Sequence, residues 1–595
     1  MSNRSIDIKR KESTRVVILL SFILLLLSIT GFSLFRIQVI NNLKYNKNLE
    51  KQSIRRVLLP GIRGRIFDRN GICLADNRPN YSIALYLEEM RKPGSMSRTV
   101  SNITNSIAKL SEDLGVSNAV VAAGIVKHMR KRRPMPFVVW DGISNELMAR
   151  FKVVQNKHPG FSIIYEPVRE YPQMKSAGHV LGYVGKSHPE VSVENPFNYY
   201  TPGMIGKNGI ELSFDDKLSS KAGGKLIRVD AFGFYHEDEQ FKAPVRGEDV
   251  TLTIDMRIQK LAETALVGSR GSVVILDVNN GDVIAMVSEP SYDPNDFSPS
   301  ISRELYQKMI SDAGNPFLNR AIRGTYAPGS TFKPLIGLTA LINDVIDDAQ
   351  EHDCPGYYKV GNIKIHCWNR YGHGLLDLRG ALEQSCNTYF CWLGIETGYE
   401  KIYHLADSIG FGKKTGIDLP YESSGLLPSD SWKRRRFGQG WRAGDTANIS
   451  IGQGFLHVTP LQLAVMVTTL ANGGHVYRPR IVLEWGKPGE ELVYMPWKFE
   501  DINPIREGMY QVVEAPAGSG KRAKVDGVRL AGKTGTAEYG KKSEGKKNTW
   551  MVAYVPFYAP KYAIVVLVED GASGGTTVAP KIKYIVEGLQ QMNGI

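Results

Sequence analysis

A chain of 595 residues with 42% apolar content is long enough for more than one domain and too polar for a polytopic membrane protein. Its formal net charge of +14 favours anionic partners: nucleic acid, a membrane surface or a phosphate-bearing substrate. No nucleic-acid-binding signature is recognisable, so the membrane is the partner that the composition favours.

In chain order, the first element is Val16–Phe35, twenty residues without a charge, the length of one helical bilayer crossing. Arg4, Lys9, Arg10, Lys11 and Arg15 precede it, which by the positive-inside rule keeps the N-terminus cytoplasmic. A cleaved signal peptide is the rival reading. The run is long for that, however, and no small-x-small site follows it. The expectation is a cytoplasmic tail over 1–15, an uncleaved single-pass anchor over 16–36, and an extracytoplasmic remainder. Ile37–Arg56 reads as a helix leading off the membrane. Pro60–Asn77 reads as short strands with a hairpin turn at Asn70-Gly71. Residues 81–245 mix strands and helices; within them Met129–Pro134 is a basic, solvated face and Gly206–Gly224 a helix between glycines. Together 37–246 form a mixed pedestal domain.

A second domain, 247–595, starts with a strand at "DVTLTID", a helix at "MRIQKLAETALV" and a hairpin around Asn280-Gly281. Strand signals return only at 551–556 and 562–569, joined by "FYAPK", and a last helix follows over about 577–592. The sheet therefore draws strands from both ends of the domain, with a helical insert between them: an α+β layout.

Three short motifs fall inside this domain. "YAPGSTFKPL" sets Ser330 and Lys333 three apart after a Pro-Gly turn, hence on one helix face. "LEQSCNTYF" holds Ser385 and Asn387, and "RLAGKTGTAEY" puts Lys533, Thr534 and Gly535 on a strand-like run. Singly these read as a helix cap with a surface lysine, a turn residue and a strand end. In this order within one domain they are the motif set of the serine penicillin-recognising enzymes.

"IRGRIFDRNGICLADNR", "YGHGLLDLRGALEQSCNTYF" and "GDTANISIGQGFLHVTPLQLA" extend the likeness. The chain resembles the class B penicillin-binding proteins, most closely their elongation type, from anchor through pedestal to a β-lactamase-like transpeptidase domain. The resemblance implies a peptidoglycan D,D-transpeptidase active in cell elongation and a target of β-lactams. Ser330 would be the nucleophile, Lys333 its base, Ser385 a proton relay, and Asn387 a holder of Lys333 and the substrate amide. Lys533, Thr534 and Gly535 would pair with substrate and bind its carboxylate, with Gly535 leaving room for close backbone approach. The backbone N–H groups of Ser330 and Thr536 would form the oxyanion hole. Implied partners are peptidoglycan stem peptides on lipid II-derived strands, a SEDS-family glycosyltransferase and elongation scaffold proteins. A septal role, a D,D-carboxypeptidase and a β-lactam-binding sensor are the alternatives.

Cys354, Cys367, His373 and Cys386 are a donor set suited to structural zinc, although their spacing is wider than in a compact finger. Members of the family carry Asp, Asp, His and Cys at matching positions around zinc; here both Asp would be Cys, and His366 is a competing neighbour. Disulfide pairing among the cysteines is the alternative outside the cytoplasm. Cys73 and Cys391 read as buried thiols. Glu538–Asn548 reads as a solvated loop. Trp432–Thr446 reads as an exposed connection or a lid, with Asp445 and Thr446 structural.

Overall fold

The computed structural model describes residues 2–41, 54–59, 61–87, 90, 95–117, 122–130, 136–186, 199–200, 204–221, 223–229, 235–483, 487–540, 545–592 and 595. Of the expected features, residues 42–53 of the lead-off helix, 131–134 of the basic run and 541–544 of the late loop lie outside them.

Helix α1, Ser2–Phe35, continues as a π-helical turn over Arg36–Ile40. Within it Arg15–Ile40, 26 residues, is long and apolar enough to cross a membrane. At 1.5 Å per residue it spans about 39 Å, beyond the roughly 30 Å hydrocarbon core.

In the pedestal a long strand, Cys73–Leu85, pairs antiparallel with Phe161–Glu170 and Phe137–Trp140. The helix Met96–Leu114 buries Thr99, Ile103, Ile107, Leu110 and Leu114, a stripe of helical period, against Ile83, Leu85, Phe151 and Phe161. Ser95 caps its start, and Gly115 ends it at φ +66°. The Asn70-Gly71 turn is present, with Ile66–Phe67 antiparallel to Cys73–Leu85. The single helix expected over 206–224 is instead two short ones, Gly209–Ser213 and Asp215–Leu218, interrupted at Phe214.

The pedestal holds a buried ionic cluster of its own, and a set of hydrogen bonds crosses its junction with the second domain. Glu211, fully buried, accepts from Arg63 Nε at 2.5 Å and Arg169 Nε at 2.6 Å, and Arg63 also meets Asp215 at 2.7 Å. Nearby, Ser298 Oγ donates to Arg169 O, Tyr171 N to Asn295 Oδ1, and Ser176 Oγ to Glu263 Oε2.

The second domain's sheet has five antiparallel strands: β1 (Gly271–Asp277), β2 (Val283–Glu289), β3 (Ala531–Glu538), β4 (Lys547–Val555) and β5 (Tyr562–Glu569). Their spatial order is β2-β1-β5-β4-β3, so strands from both ends of the domain do meet, and β3 is an edge. One face packs on the final helix, Ala579–Gln591, and on Met256–Leu266. The other packs on the helical insert, including α2 (Lys333–Leu341) and α3 (Asn387–Thr397).

Candidate active site

Residues 326–335 fold as anticipated up to one turn. Gly329–Phe332 form a 3-10 turn, and α2 begins at Lys333, with Pro334 in its first turn, where no N–H is required. Gly329 has φ +57°. A Cβ there would stand 2.9 Å from Thr536 O, so the nucleophile's turn lies directly on β3. Gly329 N donates to Gly452 O at 2.8 Å, and a Cβ on Gly452 would meet Gly329 O at 1.9 Å. The "IGQG" stretch therefore buttresses the turn from behind.

The same contact involves Gly535. A Cβ on Gly535 would come within 2.8 Å of Thr331 Cγ2 and 2.9 Å of Pro328 O. The backbone that approaches this glycine closely belongs to the turn that carries Ser330. Trp550 closes the same contact, its indole N–H donating to Ala327 O at 3.1 Å.

Lys333, Ser385, Asn387 and Lys533 converge. Lys333 Nζ donates to Ser385 O and Asn387 Oδ1, each at 2.8 Å, with Ser385 Oγ at 3.4 Å. Lys533 Nζ reaches the same Ser385 Oγ at 2.8 Å and Thr534 O at 3.1 Å. Ser385 is held at φ +56°, in the left-handed region, which marks a strained position fixed by its surroundings. Both lysines are fully buried, and no carboxylate pairs with either among the described residues. Burial pushes Lys333 down to about 8, against the pull of the neighbouring thiolates. Burial pushes Lys533 well below its ordinary value, and the charge of Lys333 pushes it further. Ser330 Oγ makes no hydrogen bond among the described residues, while Lys333 Nζ is directed at Ser385 and Asn387. Thr534 Oγ1 sits 2.9 Å from Ser519 Oγ, a neighbour that no motif flagged. Thr536 Oγ1 accepts from Gly574 N at 3.2 Å.

Beside this cluster, the donor atoms of Cys354, Cys367, His373 and Cys386 all lie within 4.8 Å of one another. His373 Nδ1 is 3.5 Å from Cys354 Sγ and 3.6 Å from Cys367 Sγ. A zinc tetrahedron with bonds of about 2.3 Å to sulfur and about 2.0–2.1 Å to nitrogen has S···N edges of about 3.6 Å, so the donors fit that ion. All five cysteines are free thiols. Cys386 is the N-cap of α3, its Sγ accepting from Tyr389 N, and Cys367 Sγ accepts from Asn387 N. A hydrogen bond from Cys386 holds Cys367 far below the usual thiol range and correspondingly raises Cys386. His366 lies outside the donor set; its carbonyl accepts from Asn387 Nδ2.

Trp432–Thr446 is neither a bare connection nor a free flap. Trp432 and Phe437, on the helix Asp430–Phe437, pack on Phe455 at 5.2 and 5.0 Å. Asp445 pairs with Lys433, and Thr446 Oγ1 accepts from Trp441 Nε1. Both are structural here.

Residues 271–587 match the family model described as the penicillin binding protein transpeptidase domain, and 58–252 match the penicillin-binding protein dimerisation domain. The chain is 31% identical to the peptidoglycan D,D-transpeptidase MrdA of Escherichia coli K12, over 95% of this chain and 93% of that one. A solved complex between penicillin-binding protein PBP2 and MreC from Helicobacter pylori superposes with a TM-score of 0.77 at 30% identity, covering 91% of this chain and all of that one. A structure titled "Structural coordination of polymerization and crosslinking by a peptidoglycan synthase complex" matches at 0.72 and 26% identity, over 96% and 98%.

Proposed function

The chain belongs to the class B penicillin-binding proteins, and from that membership we propose that it is a peptidoglycan D,D-transpeptidase of the elongation machinery, anchored by α1 with its catalytic domain extracytoplasmic. The observation that carries the chemistry is the convergence of two buried lysines on Ser385 Oγ beside the Ser330 turn.

A serine is a weak nucleophile and needs a base. Lys333, held near 8 by burial, is a base at neutral pH in the fraction that has lost its proton. A substrate carboxylate arriving at Lys533 and Thr534 favours the Lys533 ammonium. That charge in turn pushes Lys333 towards its neutral form. Substrate binding thereby switches on the base. Neutral Lys333 takes the Ser330 proton as Oγ attacks the D-Ala-D-Ala carbonyl. The backbone N–H groups of Ser330 and Thr536 receive the developing oxyanion. Ser385, touching both lysines, passes a proton to the departing D-alanine amine. An amine of a neighbouring stem peptide then displaces Ser330 from the acyl-enzyme.

Zinc held by Cys354, Cys367, His373 and Cys386 would contribute structural bonds. These residues fasten the 354–373 loop to the start of α3, where Ser385 and Asn387 sit. A SEDS-type glycosyltransferase and a MreC-like scaffold fit as partners, because matching proteins are described in a peptidoglycan synthase complex and in a complex with MreC.

Benzylpenicillin labelling of the detergent-solubilised protein, read by intact mass, tests the reading. A lasting adduct on wild type and none on Ser330→Ala is expected. No adduct on folded wild type overturns it, and rapid loss of the adduct points to a hydrolase. Metal analysis beside Cys386→Ser tests the zinc assignment: about one equivalent is expected in wild type, and none there removes it.

A further inference from the structure

Residues 352–376 form a lobe of two small antiparallel pairs: His352–Cys354 with Gly374–Leu376, and Tyr357–Val360 with Ile363–His366. In the second pair, Tyr358, Val360 and Ile365 pack on the main core. Residues alternate between faces along a strand, so Tyr357, Lys359, Lys364 and His366 share the outward face, and all four are exposed. Lys364 Nζ lies over the Tyr357 ring, 4.4 Å from its centre. Beyond this hairpin Trp368 is 63% exposed and Tyr371 fully so. A single exposed ring would mean nothing, but aromatic side chains grouped on one lobe mark a binding surface.

Its charge has one sign. Residues 354–376 include Lys359, Lys364 and Arg370 but no Asp or Glu. Among the described residues none of these three cations meets a carboxylate. A partner that carries carboxylates is the complement of such a surface.

The lobe borders the catalytic cluster. Trp368 Nε1 donates to Gln384 O at 2.8 Å, and Asn387 Nδ2 donates to His366 O at 3.2 Å. It therefore flanks the cleft on the Ser385–Asn387 side, whereas Lys533 reaches Ser385 from β3 on the other. Once D-alanine has left, the donor peptide stays bonded to Ser330, and a second stem peptide must bring in its amine. That peptide hangs on a glycan strand. Sugar rings offer flat C–H faces for aromatic rings to cover, and a stem peptide ends in a carboxylate. We propose that this lobe docks the acceptor peptidoglycan strand, with Tyr357 and Tyr371 against its sugars and Lys359, Lys364 and Arg370 on the carboxylates of its stem peptides. The proposal rests on the transpeptidase reading above.

The full-length protein is first acylated with benzylpenicillin, which fills the donor side of the cleft. Binding of soluble, fluorescently labelled glycan strands bearing pentapeptides is then followed by anisotropy. The penicilloyl-protein is expected to bind them still. Tyr357→Ser with Tyr371→Ser is expected to raise Kd about tenfold, with the benzylpenicillin acylation rate unchanged. Lys359→Gln with Lys364→Gln is expected to raise it about threefold on these strands and not at all on strands stripped of their peptides. No strand binding by the penicilloyl-protein overturns the proposal, as does a tyrosine variant that binds like wild type. An equal loss on stripped strands overturns the assignment of the lysines to carboxylates. Failure of benzylpenicillin to acylate folded protein overturns the transpeptidase reading and this proposal with it.

Discussion

Two buried pairs of cations lie in this molecule, and they are treated in opposite ways. Inside the pedestal, Arg63 and Arg169 share the fully buried Glu211, each guanidinium within 2.6 Å of a carboxylate oxygen. In the catalytic cluster, Lys333 and Lys533 share only the Ser385 hydroxyl. Glu211 raises Arg63 against the desolvation that lowers it, whereas burial pushes both lysines down. The choice of residue fits each place. Guanidinium stays charged and forks onto a carboxylate, while a buried ammonium gives up its proton readily. The first pair holds distant segments of the pedestal together. The second is kept uncompensated, so that an incoming carboxylate decides its protonation.

Breaking each pair should give opposite outcomes. Lys333→Met should slow benzylpenicillin acylation by about 10²–10⁴-fold, the usual worth of a general base, while leaving the melting temperature unchanged or higher, since an uncompensated buried cation is removed. A Lys333→Met protein that melts markedly lower would show that the lysine is structural. Glu211→Ala should do the reverse. It strands two buried guanidiniums and should cost about 3–5 kcal/mol in denaturant unfolding, with the acylation rate of the remaining folded protein close to wild type.

pH sharpens the contrast. A base must be neutral to act, and Lys333 loses its proton around 8, so acylation should climb nearly tenfold per unit below that value and flatten above it. Rates measured from pH 6 to 9.5 that stay level would exclude Lys333 as the titrating base. The smallest effect expected is at the edge of the junction. Ser298→Ala removes the hydrogen bond to Arg169 O and should cost about 0.5–1.5 kcal/mol in the same unfolding assay, without touching acylation.

The motif residues were legible because their chemistry is carried by residue type and order. Ser330, Lys333, Ser385, Asn387 and Lys533 fall where the sequence places them, and so does the donor set of three thiols and His373. What escaped depends on contacts between distant segments. Gly535 was read as room for close backbone approach, but nothing local says that Pro328 and Thr331 are what lie against it. Glu211 looked like one more helix acid, since its partners Arg63 and Arg169 are 148 and 42 residues away. The one helix expected over 206–224 broke at Phe214, where glycine punctuation alone gave no stop.

β3 closes one side of the sheet, with no neighbour beyond it among the described residues. A bare strand at that position is a template for pairing with another chain, and thus a route to aggregation. The Ser330 turn lies across it, close enough that Gly535 cannot carry a side chain. The residues that make the catalytic cleft therefore also cover one face of this strand. The same strand thus serves the catalytic cleft with its face and remains the last strand of the sheet at its edge.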